Sequence, residues 1–271
     1  MDKKTVLFLY TEFSSYLESC LNFLVEHHSV NVFLIRYSVN NEAPFEFEKW
    51  DFKSEKRNIF KTKKQLLDFS INLKPNLIVV SGWLDKDYLY VASKLKDKAI
   101  TVMAMDTAWK GTLKQVLLSK LSINYFSKRF NYVWVPGLKQ KEFAKKIGFS
   151  EENILDGFYS ANVQLFKKYY LETIDSKRKS YPKVFLFLGR YVNNKSINEL
   201  SIAFRNISLE NDHDWELWCV GTGDQWENRL IHPKIKHLGF LQPNELLDVV
   251  SKTGVYILPS KFEPWGVSLH E

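Results

Sequence analysis

Arg190 and Lys195 stand five residues apart in GRYVNNKS, and Glu263 and Glu271 stand eight apart in PSKFEPWGVSLHE. A guanidinium offers phosphate a planar fork and a lysine adds a mobile point charge, so the first pair suits a phosphorylated ligand. Two solvated loop cations would look the same in the sequence. Gly266 opens a helical pattern, and the free N–H groups of Gly266, Val267 and Ser268 at such a helix start attract an anion. Carboxylates beside a phosphate are costly unless they accept hydroxyl groups, so Glu263 and Glu271 point to a ligand that joins phosphate to sugar or ribose. The plain alternatives are a surface loop acid and a helix-face acid. Gly221 and Gly223 in VGTGDQW permit a tight turn and close backbone approach, but no third glycine completes a dinucleotide fingerprint.

Each of these residues follows an apolar run. The runs lie at 5–10, 30–37, 76–82, 99–105, 132–137, 183–189, 215–221, 235–240 and 254–260. Runs that are apolar throughout predict strands buried on both faces, as in a parallel sheet covered by helices. Helical patterns separate them at 15–27, 62–73, 86–97, 112–128, 138–147, 196–207 and 243–252. The alternation predicts an α/β, doubly wound architecture, in which ligands bind beyond the carboxyl ends of the strands. A polar, lysine-rich stretch ending at Pro182 interrupts it. The expected division is a first βα domain over 1–165, a linker over 166–182 and a second domain over 183–271. The second domain has only four expected strands and a last helix of barely a turn, so it reads as incomplete.

In this order and at these intervals, GRYVNNKS, VGTGD, LGFLQPNEL and LPSKFEPWGVSLHE resemble the donor domain of family 4 retaining glycosyltransferases of the GT-B fold. The last stretch carries the family's E-x7-E motif. The likeness is close over residues 183–271 and general over the N-terminal half. It implies two Rossmann-like βα domains with a crevice between them, the second truncated. It further implies that Arg190, Lys195 and the amides of Gly266 and Val267 hold the diphosphate of a UDP- or GDP-sugar, without a metal or a separate cofactor. Glu271 would accept the ribose hydroxyls, with Gly221, Gly223 and Phe240 bordering the nucleoside. Glu263 would face the transferred sugar. The acceptor would be a saccharide or a lipid-linked one, as in surface polysaccharide assembly. A non-catalytic fragment that binds nucleotide weakly is the competing expectation.

The N-terminal half departs from the family pattern. Where many relatives have a glycine-rich loop, residues 10–16 read YTEFSSY, and where many place a histidine the chain has Asp106. Asp106 fits a sugar-contacting or base-like role and equally an N-cap. Trp83 and Trp109 follow strand ends and suit either stacking on a sugar or ordinary packing. Residues 110–130 predict a basic amphipathic helix with Leu113, Val116, Leu117 and Leu121 on one side. Such a helix suits an anionic membrane face, although a packed helix with a solvated basic face is the simpler expectation.

The net charge of +7 is compatible with phosphorylated substrates, anionic membranes or nucleic acid. The lysines are scattered and carry no nucleic-acid motif, so no nucleic-acid partner is expected. No run of 18 apolar residues exists and the apolar start is too short for a signal peptide. Cys20 and Cys219 lack metal or disulfide spacing. These features predict a cytoplasmic protein, at most at the inner face of the membrane.

Overall fold

The computed structural model describes residues 3–40, 42–47, 50–157 and 159–271. The chain forms two compact units: Met1–Ser38 with Phe47–Ser160, and Val39–Glu46 with Ala161–Glu271.

The first unit runs β1 (Lys4–Tyr10), α1 (Ser15–His27), β2 (Val30–Arg36), β3 (Lys53–Lys56), α2 (Lys63–Asn72), β4 (Leu77–Ser81), α3 (Lys86–Leu95), β5 (Ile100–Ala104), α4 (Leu113–Ser122), β6 (Tyr132–Val135), α5 (Leu138–Lys146) and β7 (Ile154–Asp156). Its strands pair in parallel in the order β3-β2-β1-β4-β5-β6-β7. Successive side chains of a strand point to opposite faces. Leu7, Leu9, Ile35, Val80 and Met103 accordingly fill one buried cluster, and Val6, Phe8, Leu34, Val79 and Val102 fill another. Both faces are covered, which is why these strands read as unbroken apolar runs.

The second unit runs α6 (Val163–Lys179), β8 (Val184–Leu188), α7 (Ile197–Glu210), β9 (Glu216–Val220), β10 (Ile235–Gly239), α8 (Leu246–Ser251), β11 (Val255–Tyr256) and α9 (Val267–His270). Its parallel sheet has the order β10-β9-β8-β11. The α/β, doubly wound architecture is therefore present in both units.

Three features depart from the sequence reading. The stretch expected as a linker is mostly the 17-residue helix α6. Asn162 caps it by accepting from the Leu165 N–H at 3.1 Å. Tyr169 and Thr173 are buried, the Tyr169 hydroxyl donates to the Pro243 carbonyl at 3.3 Å, and Lys177 Nζ donates to the Val250 carbonyl at 2.5 Å. Two edge strands, β3 and β7, were not expected. The ninth expected strand shortens to Val255–Tyr256, leaving residues 257–266 as an open loop.

Both sheets have a switch point. Successive strands step outward from β1 through β2 to β3, and β4 then starts on β1's other side. In the second unit β8, β9 and β10 step one way and β11 pairs with the free side of β8. Loops that leave strands flanking such a point diverge and open a crevice at the carboxyl ends. In the second unit those are the loops after β8 and β11, which carry Arg190, Lys195, Glu263 and Gly266.

Candidate functional site

Lys195 closes a single 3₁₀ turn over Asn193–Lys195 after β8, and Ser196 then takes a left-handed φ of 55° before α7 begins. From the loop after β11, Glu263 reaches back to it. Lys195 Nζ donates to Glu263 Oε2, and the Ser260 hydroxyl donates to the same oxygen at 3.0 Å. Asn194 braces the loop, donating its side-chain amide to the Phe262 carbonyl at 2.7 Å and accepting the Lys261 N–H on its own carbonyl at 2.9 Å. Lys261 in turn pairs with Glu199 at 2.5 Å, tying the loop to the first turn of α7. The side chains of Lys195 and Glu263 are only 16% and 22% exposed, so their attraction is screened less than that of a surface pair.

Arg190 does not join this pair. Its guanidinium lies 3.8 Å from Glu42 on the 39–46 segment and is half exposed. Two glycines hold the neighbouring turn. Gly221 and Gly223 take φ values of 128° and 157°, and a Cβ on them would lie 2.0 Å from the Gly189 oxygen and 2.6 Å from the Tyr191 oxygen. The Tyr191 N–H donates to the Thr222 carbonyl at 2.8 Å. Phe240 packs edge-on to Phe45, with ring centroids 5.1 Å apart.

Gly266 enters α9 with a left-handed φ of 73°, and a Cβ there would sit 2.9 Å from Glu263 Cγ. Gly266 thus lets the helix start lie against the Glu263 stem. The α9 ladder uses the N–H groups of Leu269 and Glu271, leaving those of Val267 and Ser268 outside it, as at any helix start. The Tyr256 hydroxyl donates to Ser268 Oγ at 2.8 Å, and its field is shared with Glu263 and Glu271.

Burial pushes the Glu271 carboxyl up to about 7 from an ordinary value of 4.5. The folded chain therefore holds this proton where the unfolded chain releases it. Stability falls as pH rises from about 4.5 to about 7, by on the order of 3 kcal/mol. Melting temperature followed by circular dichroism should drop across this window in the wild type. Glu271→Gln should flatten that slope, and an unchanged slope would show that Glu271 is not its source.

In the first unit, residues at or just beyond the ends of β1, β4, β5 and β7 line a cleft of ≈ 200 Å³, among them Thr11, Glu12, Ser81, Trp83, Asp106 and Tyr159. Much of Asp106 faces solvent, yet burial of its carboxyl at the cleft raises its pKa above the ordinary aspartate value. The N-cap alternative for Asp106 is overturned. Thr112 caps α4, its hydroxyl accepting from the Gln115 N–H at 3.3 Å. Trp83 and Trp109 both pack on Phe143, at centroid distances of 6.0 and 5.6 Å, while Trp83 also lines the cleft. Among the described residues no cluster of three or more His, Cys, Asp or Glu side chains is placed to hold a metal ion, and no helix is long and apolar enough to cross a membrane.

The two cations, two carboxylates and helix start thus come from one sheet's diverging loops. Residues 172–271 match the family Glycosyl transferases group 1. The matched segment contains the whole of the Lys195–Glu263 arrangement. No curated protein matches the sequence. Among solved structures, a glycosyltransferase from Rickettsia africae superposes with a TM-score of 0.66 at 14% identity, over 96% of this chain and 74% of that one. HepE of Anabaena, solved with UDP and glucose, gives 0.68 at 10% identity over 97% and 76%. UDP-GlcNAc 2-epimerase from Neisseria meningitidis gives 0.57 at 11% identity over 93% and 76%. The fold is of the GT-B type, two Rossmann-like βα units. Its occurrence in both transferases and epimerases means that the fold alone does not choose the reaction.

Sequence reasoning did not assign Ser260, Asn194, Tyr256 or Glu42. Ser260 lies within the PS-x2-E stretch and was visible as part of the motif. Tyr256 sat inside a run read only as strand, and Glu42 is far away in sequence with no signal of its own.

Proposed function

We propose that this chain transfers a sugar from a nucleotide diphosphate sugar to a saccharide or lipid-linked acceptor, with retention of anomeric configuration and without a metal. The observation that carries the reading is the Lys195–Glu263 pair at the β8/β11 switch point, next to the Gly266 helix start. Lys195 and Arg190, with the amides of Gly266 and Val267, hold the diphosphate and neutralise the charge that develops on it as it leaves. Glu263 accepts hydroxyls of the transferred sugar and stabilises positive character at its anomeric carbon. Glu271 accepts the ribose hydroxyls, while Gly221, Gly223 and Phe240 border the nucleoside. The bond from the anomeric carbon to phosphate breaks as the acceptor oxygen bonds to the same face. The acceptor proton passes to the leaving phosphate oxygen. Asp106, in the first unit's cleft, contacts sugar hydroxyls or takes a base-like role.

Titration calorimetry with UDP and GDP, followed by assay of nucleotide release from their sugars, tests this. One nucleotide should bind with micromolar affinity, and its sugar should release it only with an acceptor present. Absence of binding to either would favour a non-catalytic chain. Conversion of the sugar nucleotide to its epimer, with no nucleotide freed, would replace transfer by the second chemistry found on this fold.

A further inference from the structure

Helix α4 has its leucines on the outside. Leu113, Leu117, Leu118 and Leu121 are 89%, 61%, 50% and 74% exposed, whereas Ser119 is buried at 6%. At 100° per residue, Leu113, Leu117 and Leu121 form one stripe with Leu118 at its side, and Gln115, Val116, Ser119 and Ser122 turn toward the unit. A helix of a globular unit ordinarily does the reverse. The apolar surface continues past the helix end through Ile123, which is 53% exposed, and Tyr125, which is 43% exposed. The outward face is therefore not simply basic, as the plainer expectation from the sequence has it: it is mainly apolar, with Lys120 at its margin and Lys114 between Leu121 and Leu118.

The stretch of chain that carries this face holds charge of one sign. From Thr107 to Lys141 there is no aspartate or glutamate, and seven cations: Lys110, Lys114, Lys120, Lys128, Arg129, Lys139 and Lys141. Lys114 and Lys120 project from α4 itself and are exposed, as is Lys128 in the turn that follows. Among the described residues none of these three takes part in an ion pair. Arg129 stacks over the Tyr125 ring at 3.7 Å, placing an aromatic and a cation together at the edge of the apolar patch.

We infer that the α4 face, Leu113 to Tyr125, docks on the surface of an anionic lipid bilayer. Leucines on one face enter the boundary between headgroups and acyl chains, lysines beside them meet the anionic headgroups, and a tyrosine sits at the interface depth that suits its polar tip. A second copy docked through the same face would bring Lys114, Lys120 and Lys128 against their equivalents, and a neutral surface would leave these three cations without partners. The inference does not rest on the glycosyl-transfer reading, and it is tested without any sugar nucleotide.

Cosedimentation with vesicles of phosphatidylcholine containing 30% phosphatidylglycerol is the test. Binding should exceed that to pure phosphatidylcholine vesicles by at least about tenfold and should fall steeply as salt is raised. Lys114→Gln/Lys120→Gln/Lys128→Gln should weaken it by roughly a hundredfold. Leu117→Ser/Leu121→Ser should weaken it by at least about tenfold. Because these leucines lie outside the core, melting temperature and far-ultraviolet circular dichroism should match the wild type, so a lost interaction cannot be ascribed to misfolding. Equal binding to both vesicle types, or wild-type binding by either variant, would overturn the inference. So would a dimer that forms without lipid and is lost in the leucine variant, which would assign the face to self-association.

Discussion

Lys195→Ala is expected to lower kcat for sugar transfer by about 100- to 1,000-fold, the loss typical of removing one preorganised group from developing negative charge. The same substitution acts on the empty protein. Glu263 is 22% exposed and would keep only the Ser260 hydroxyl as partner, so its charge would be held in a half-buried place without a counter-ion. Both turnover and melting temperature should therefore fall. Arg190→Ala should differ: this side chain is 53% exposed and lies 3.8 Å from Glu42, so stability should hardly change while the diphosphate binds more weakly. Glu263→Gln supplies the third arm. It frees Lys195 from its carboxylate and should tighten UDP or GDP binding while lowering kcat, a split between affinity and rate that a merely structural ion pair would not give. Lys195→Ala turnover within threefold of wild type would remove Lys195 from the proposed phosphate clamp.

What was legible in the sequence follows from which groups face the core. β1, β2, β4 and β5 announce themselves because both faces of each are buried. β3 is the polar KSEK at one edge and β7 only three residues at the other, and an edge strand with one neighbour needs no long apolar run. Motif spacing placed Lys195 and Glu263 on loops after different strands. Their pairing required knowing that β11 adds beside β8 rather than beyond β10, and order in the chain does not contain that. The α4 pattern likewise fixes a leucine stripe but not the direction it faces. Burial of Ser119 reverses the usual rule, and nothing in the period of the pattern signals this.

Gly221→Ala should be the most damaging single methyl in the second unit. The added Cβ would lie 2.0 Å from the Gly189 oxygen and 2.9 Å from its carbon, both backbone atoms that cannot rotate away. Gly189 and Gly221 follow the neighbouring strands β8 and β9, and the Gly189 N–H donates to the Val220 carbonyl at 3.0 Å. Relief would require the strand ends to part, breaking that bond and shifting the loop that carries Arg190 and Lys195. A loss above about 4 kcal/mol is expected, placing the change among the rare severe substitutions. Gly239→Ala provides the control. Its φ of 74° is also left-handed, but the nearest atom to an added Cβ is Trp226 Cη2 at 3.9 Å. Only backbone strain is then at stake, about 1 kcal/mol. Thermal melts should separate the two, with Gly239→Ala lowering Tm by about 2–4 °C and Gly221→Ala failing to give a cooperative transition for the second unit. Equal losses in the two variants would mean that the left-handed conformation, and not the close approach of β8 to β9, sets the need for glycine.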